Sequence, residues 1–226
     1  MRALRCLECR WAHPVWKSLA GQRALLRVVQ EKQLPDDLTV SATNVLFSSP
    51  DMKVREGAAE HLTLPSTADA TPLPPIPVLL KQPGDQLLGK VVFNKAGTCI
   101  KCHRVRGEGK EVGPDLSEIG SKLTKEALLV SILDPSADVI EGYQQAHFKM
   151  KDGSEVFGMV QGETAKSVKV FLADGSPRDV SKTDVKKRTM LEISGMPPSY
   201  AYSLSTQEIA DMTAWLLDQR TPLKKK

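Results

Sequence analysis

The sequence predicts a mainly α-helical fold into which a small β-sheet or barrel is inserted. Apolar residues recur with a period near 3.6 in several stretches, which is typical of amphipathic helices. Between residues 143 and 192 the period falls to about two, which is typical of strands. A proline-rich stretch, residues 67–83, is predicted to be an extended linker between two helical parts of the 226-residue chain.

The N-terminal part, residues 1–66, is predicted to contain three short helices. Their sequences are WKSLAGQRALLRVVQEKQL, DDLTVSATNVLFSS and MKVREGAAEHLTL. Pro35 and Pro50 separate them, because proline ends one helix but fits the first turn of the next. The stretch VREGAAEHL resembles the second helix of HEAT-like repeats, and a small independent helical bundle is the alternative interpretation.

Residues 84–220 form the second predicted domain, with helices at both of its ends. The segment GDQLLGKVVFNKA begins the domain, and LTKEALLVSILDPS follows, with Thr124 near its start and Pro135 at its end. The last helix is predicted within SLSTQEIADMTAWLLDQR. Ser205 and Glu208 there have the spacing of a capping box.

The β insertion, about residues 143–192, is predicted to contain five short strands. YQQAHFKM, SEVFGMVQ and SVKVFLA alternate apolar and polar residues, and RDVS and KKRTMLEI form a shorter pair. Asp152-Gly153 and Asp174-Gly175 are strong signals for hairpin turns. We therefore expect a small curled sheet of the SH3-like or Sm-like barrel type.

The charge distribution favours a protein partner and argues against nucleic acid. The net charge is +4, and the excess lies late in the chain, at Lys182, Lys186 to Arg188 and the basic tail, residues 221–226. Such a surface suits docking onto an acidic protein, but it lacks the concentrated basic stripe of nucleic-acid-binding domains. No run of about 18 apolar residues occurs, so no membrane-spanning helix is expected.

The four cysteines form two C-x-x-C pairs, Cys6 with Cys9 and Cys99 with Cys102. His103 directly follows the second pair and completes C-x-x-C-H, the pattern of covalent haem c attachment. Two thiols three positions apart can form thioether bonds with the haem vinyl groups, and the next imidazole can bind the iron. The sequence therefore predicts one covalently bound haem c, with its iron, in this chain.

Other uses of these cysteines remain open at this point. A dithiol redox pair is usually found in a βαβ context, which the flanking sequence lacks. A zinc site could combine all four thiolates, and a weaker metal site could combine Cys6, Cys9 and His13.

A haem iron held by histidine needs a sixth ligand, and methionine is a common one in electron-carrying cytochromes. Met196 lies in the loop SGMPPSY, just before the last helix, where the following prolines restrict the backbone. We expect Met196 to be this ligand. Met190 and His147 are the alternatives, and both lie in predicted strands.

Residues 84–220 resemble a class I c-type cytochrome. This resemblance rests on a first helix with Gly89 and Phe93 and on a last helix with Trp215. Between these helices lie the attachment motif and the GPDL and GMPP segments. It implies that the first and last helices cross, with Gly89 and Phe93 against Trp215. It also implies that the carbonyl of Pro114 accepts a hydrogen bond from the histidine that binds the iron.

A narrower resemblance covers VGPDLSEIGSKLTKEALLVSILDPSADVIEGYQ and the following KDGSEVFG. These stretches resemble a haem-binding domain at the C-terminal end of large bacterial proteins of the membrane-bound dehydrogenase type. In those proteins HEAT-like repeats precede the cytochrome, and the same β insertion occurs. The resemblance implies that the chain works with a dehydrogenase.

These observations predict a monohaem c-type cytochrome that carries electrons by outer-sphere transfer and is not by itself an enzyme. A dehydrogenase is the expected donor, and another cytochrome or a terminal oxidase is the expected acceptor. One alternative is a haem enzyme or gas-binding site with an open sixth position. Another is a zinc-binding or protein-interaction module.

Haem c is attached outside the cytoplasm, so the chain is expected to be periplasmic or otherwise exported. Its first residues, MRALRCLECRWAHPVWKSLAG, contain no export signal. The sequence is therefore expected to be a fragment, or to begin at a misassigned start.

Overall fold

The computed structural model describes residues 18–35, 38–47, 49–63, 66–197 and 203–220. This part of the chain is 37% helical and 22% strand, so the prediction of a mainly α fold is wrong. The strand content is high because some of the inserted strands are longer than several of the helices. Two of the inserted strands have 9 and 10 residues, whereas two of the helices have only 4.

The described residues of the N-terminal part form three helices: α1 Leu19–Gln30, α2 Thr39–Phe47 and α3 Met52–Ala59. The Ser18 side chain caps α1, and the Asp51 carboxylate caps α3 by accepting from the Lys53 amide. Their facing apolar residues form one core, namely Leu25, Val29, Ala42, Leu46, Val54 and Ala58. Three helices are thus confirmed at the predicted places, and their kinship with HEAT-like repeats stays a prediction.

Among the described residues from 66 to 220, five helices and a short 3₁₀ turn, Cys99–Lys101, surround the second core. The helices are α4 Ile76–Leu79, α5 Gln86–Asn94, α6 Ile119–Lys122, α7 Lys125–Leu133 and α8 Thr206–Asp218. Asp85 caps α5 and Thr124 caps α7, and the predicted capping box of Ser205 and Glu208 is present on α8. Helix α4 lies within the stretch predicted to be extended, because proline fits the first turn of a helix.

Helices α5 and α8 cross at Gly89. The backbone of Gly89 lies against the Asp211 carbonyl and the Trp215 Cβ, leaving no room for a side chain. The Phe93 and Trp215 rings meet beside this point, with centroids 4.8 Å apart and planes tilted by 52°. The crossing that the cytochrome resemblance implied is therefore present.

The strands found in the described part of the chain form two antiparallel sheets. A two-stranded hairpin, β1 Arg104–Val105 and β2 Glu108–Gly109, follows the cysteine motif. The larger sheet has the order β6-β5-β4-β3-β7. Its strands are β3 Gln144–Met150, β4 Glu155–Glu163, β5 Ser167–Phe171, β6 Pro177–Ser181 and β7 Val185–Ser194. The five predicted strands are confirmed, and β3, the first of them, lies between β4 and β7.

The predicted Asp-Gly turns are also present in the larger sheet. Gly153 and Gly175 have φ values of 87° and 75°, which favour glycine. One face of the sheet buries an apolar core of Ala146, Phe148, Val156, Val168, Val170 and Val180. Among the described helices, none is long and apolar enough to cross a bilayer.

Candidate functional site

The cysteine motif folds into one tight backbone turn after helix α5. Thr98 has a positive φ of 51°, which turns the chain out of the helix and into the 3₁₀ segment. The amides of Cys102 and His103 both donate to the Cys99 carbonyl, at 3.0 and 2.8 Å. Because these bonds fix the turn, the two thiols and the imidazole are held on the same short piece of chain.

Both thiols of the motif are free and partly buried. Burial raises the pKa of Cys99 to about 12, and burial also raises the pKa of Cys102. The sulfur of Cys99 lies 3.6 Å from the Met212 sulfur on helix α8. At neutral pH both side chains are therefore protonated thiols.

The zinc alternative needs Cys6 and Cys9 in addition to Cys99 and Cys102. The described residues by themselves contain no group of three or more histidine, cysteine, aspartate or glutamate side chains that could hold a metal ion. Cys6, Cys9 and His13, the remaining partners of the predicted zinc and metal-trio sites, lie outside the described residues.

The His103 ring is held in one tautomer. Its Nδ1 lies 2.8 Å from the Pro114 carbonyl oxygen, which can only accept, so Nδ1 carries the proton. Burial lowers the pKa of His103, and the bond to Pro114 partly opposes this effect. The imidazole is therefore neutral at pH 7, and its Nε2 lone pair is available to a metal ion.

Gly113 allows the chain to pass directly over the His103 ring. A Cβ placed at Gly113 would lie 2.6 Å from His103 Cε1 and 2.9 Å from Nδ1. Such contacts are too short for a side chain at this position, so only glycine lets the backbone pack directly on the imidazole. The GPDL segment thus positions the ring through both Gly113 and Pro114.

Replacing Gly113 by alanine should displace the His103 ring or the GPDL backbone. We expect the free energy of unfolding to fall by about 1–3 kcal/mol, as for other overpacked sites. Denaturant unfolding would measure this loss. Gly162→Ala is the matched control, because a Cβ there meets no atom within 4 Å. Equal stability of the two variants would contradict the close packing of the Gly113 backbone on the His103 ring.

One largely apolar cavity brings the predicted site residues together. Cys99, Cys102, His103, Pro114 and Met196 all line it. Apolar side chains of the helical domain complete much of its wall, among them Phe93, Leu116, Ile119, Leu128, Ile132 and Leu216.

The two alternative ligands lie elsewhere. Met190 is 48% exposed on strand β7 and does not line this cavity. His147 is stacked on Phe157, with ring centroids 4.3 Å apart, and its Nε2 lies 3.3 Å from a Glu155 carboxylate oxygen. Of the three candidates for a sixth ligand, Met196 alone lines the cavity.

The β insertion also contributes to the cavity, which sequence reasoning missed. Met159 of strand β4, and Leu172 and Ala173 after strand β5, line it. The turn between β5 and β6 lies close by, because a Cβ at Gly175 would be 3.1 Å from the Cys102 sulfur. The alternating pattern marked Met159 as part of a strand, but no local signal shows which domain a strand will face.

The residues present fit a covalently bound haem. Two thiols and a neutral imidazole with a free Nε2 lie on one turn, and a methionine thioether lines the same apolar cavity. Thioether and imidazole are established axial ligands of haem iron, and an apolar surround suits a porphyrin.

Residues 87–168 match the family model described as Cytochrome c. The matched range contains helix α5 from its second residue onward, the C-x-x-C-H motif and the GPDL segment, and it ends before Met196. The match supports a c-type cytochrome domain in this part of the chain, and such a domain implies covalently bound haem c with iron. A search of curated proteins found no match.

Proposed function

We propose that this chain is a monohaem electron carrier whose cytochrome domain comprises residues 84–220. Cys99 and Cys102 would bind the haem covalently, and His103 and Met196 would be its axial ligands. The observation that carries this proposal is the shared cavity, since Met196 is distant in sequence from the C-x-x-C-H motif and yet lines the same space as Cys99, Cys102 and His103. When bound, haem supplies one-electron chemistry between ferrous and ferric iron.

The side chains around the cavity suit electron transfer rather than catalysis. The bond from His103 to Pro114 fixes the imidazole, and burial keeps it neutral and able to bind a metal. Met196 contributes a soft thioether, which favours the reduced metal and so raises the reduction potential. If His103 and Met196 both held the iron, no position would remain open for oxygen or peroxide. We therefore assign no catalytic residue and disfavour the haem enzyme and gas-binding alternatives.

A spectrum of the exported, matured full-length chain tests this proposal. A pyridine haemochrome spectrum and the intact mass should show one haem bound through thioethers. The oxidised protein should be low-spin, with the charge-transfer band of a methionine bound to iron. A colourless product whose mass is that of the polypeptide alone would overturn the proposal.

Met196→Ala should lower the reduction potential by on the order of 100 mV, because the thioether stabilises the reduced iron. Potentiometric titration measures the shift, and the methionine-to-iron band should disappear with it. Met190→Ala is the control, because that side chain is exposed and lies away from the cavity. An unchanged potential in the Met196 variant would refute the assignment of Met196.

A cytochrome c domain implies redox protein partners, and such domains are typically exported. We propose a dehydrogenase as the electron donor, another cytochrome or an oxidase as the acceptor, and the periplasm as the location. Lys186, Lys187 and Arg188 are exposed on strand β7 and suit an acidic partner. We further propose that residues 1–66 belong to a HEAT-like segment, which residues 67–83 link to the cytochrome domain.

A further inference from the structure

We propose that Met159 of the β insertion is a positioning residue that holds Met196 in place as the axial ligand. The inference rests on the proposed function, because it needs a haem iron to which Met196 can bind. It gives the insertion a role in the redox site itself.

Met159 packs directly on the loop that carries Met196. Its side chain is 8% exposed and lines the same cavity as Met196. A Cβ built on Gly195 would overlap the Cγ and sulfur of Met159. The backbone just before Met196 therefore touches the Met159 side chain with no intervening space.

Strand β4 gives Met159 a fixed position. The strand lies inside the sheet, where Met159 pairs with Gln145 of β3 on one side and with Phe171 of β5 on the other. A residue paired on both sides cannot shift without disturbing two neighbours. Met159 is thus a rigid support for Gly195 and Met196, which directly follow the end of strand β7 at Ser194.

Three hydrogen bonds donated by backbone amides anchor the start of the loop. The Gly195 amide donates to the Tyr143 carbonyl at 2.9 Å, and the Met196 amide donates to the Ser194 hydroxyl at 3.1 Å. The Ser194 amide in turn donates to the Ser136 hydroxyl at 3.1 Å. Met159 packs against the same stretch at Gly195, so the thioether of Met196 has less freedom to leave the cavity. A ligand that is pre-organised in this way binds more tightly, because less entropy is lost on binding.

Competition by free imidazole on the matured full-length chain tests this role. Imidazole displaces a methionine ligand and removes the methionine-to-iron band, so its apparent affinity reports how firmly Met196 is held. Met159→Leu should keep the haem and the band, but it should bind imidazole about three- to tenfold more tightly. Met196→Leu should lack the band before any imidazole is added.

Met150→Leu is the matched control. Met150 lies on the neighbouring strand β3 and packs against the sheet core, but it does not line the cavity. This variant should bind imidazole as the wild type does. If Met159→Leu behaves in the same way as this control, the positioning role is overturned.

A double-mutant cycle between Gly195→Ala and Met159→Ala provides a second measurement. Gly195→Ala alone should weaken Met196 ligation, because the new Cβ overlaps the Met159 side chain. Adding Met159→Ala removes the overlap and should restore part of the resistance to imidazole, so the two effects should not add. Strictly additive effects would contradict direct contact between Met159 and the loop.

The failure of this inference differs from failure of the proposed function. Absence of haem from the wild-type chain would overturn both. Presence of haem, with Met159→Leu behaving as Met150→Leu does, would overturn the inference and leave the proposed function standing. Presence of haem, with the band lost in Met159→Leu and retained in Met196→Leu, would make Met159 the ligand. That result would overturn both the inference and the assignment of Met196, but not the electron-carrying role.

Discussion

Replacing both Cys99 and Cys102 by alanine should yield an exported chain that carries no covalently bound haem. Its intact mass should equal that of the polypeptide, and acid–organic extraction should leave the protein colourless. The physical reason is that thioether bonds need both sulfurs, which the tight turn of the motif holds beside His103. Each single replacement should leave at most one bond and a much lower yield of matured protein.

The pair Cys6→Ala and Cys9→Ala is the matched control for this experiment. It removes the same number of thiols from the other C-x-x-C pair, which no histidine directly follows. This variant should retain the haem in full. If both double variants instead lost an equal amount of bound zinc, and neither they nor the wild type contained haem, the four-thiolate zinc site would be the correct interpretation.

Gly89→Ala should reduce the free energy of unfolding by about 3 kcal/mol, the upper part of the range for overpacked sites. The added methyl group would overlap the Asp211 carbonyl of helix α8 and would lie 2.7 Å from Trp215 Cβ. Because the obstacle is mainly backbone, the two helices must move apart. Urea unfolding monitored by circular dichroism would measure the loss.

Gly162→Ala again serves as the reference for the intrinsic effect of glycine replacement, because the space around Gly162 is open. Its stability should stay within about 0.5 kcal/mol of the wild type. The Gly89 variant should also weaken the Phe93–Trp215 contact, which a change in tryptophan fluorescence would report. Equal stability of the two variants would show that α5 and α8 can separate at little cost.

Elements set by local signals could be predicted from the sequence. The capping box at Ser205 marks the start of the last helix, because its two hydrogen bonds depend only on residues three positions apart. Asp152-Gly153 and Asp174-Gly175 mark hairpin turns, because their glycines accept positive φ. Strands β3, β4 and β5 follow from the alternation of apolar and polar residues within each of them.

The fold class could not be predicted in the same way. The prediction treated the insertion as a small addition to a helical domain, whereas strands β4 and β7 extend over 9 and 10 residues. Strand ends depend on pairing with neighbours that are distant in sequence, and the alternating pattern fades at the edges. The helix α4 was missed because prolines obscured a short turn that tertiary packing stabilises.

Residues of the candidate site could likewise be predicted where the signal lies within a short stretch of sequence, but not where it depends on tertiary packing. Cys99, Cys102 and His103 could be identified because their chemistry lies in five consecutive residues. Met196 needed the additional argument that haem iron takes a second axial ligand. Met159 could not be found, because its approach to Gly195 depends on how the sheet packs against the helical domain.

Because β3 and β7 are paired neighbours, the number of residues in the inserted sheet can change without a change in the helical domain. The chain enters the insertion at Tyr143 and leaves it at Gly195, and these two residues are joined by a hydrogen bond. Since the first and last residues of the insertion are neighbours in space, the length of the sheet does not set the separation of α7 and α8. Residues added at the distant tip between β3 and β4, for example, should therefore be tolerated without moving either helix.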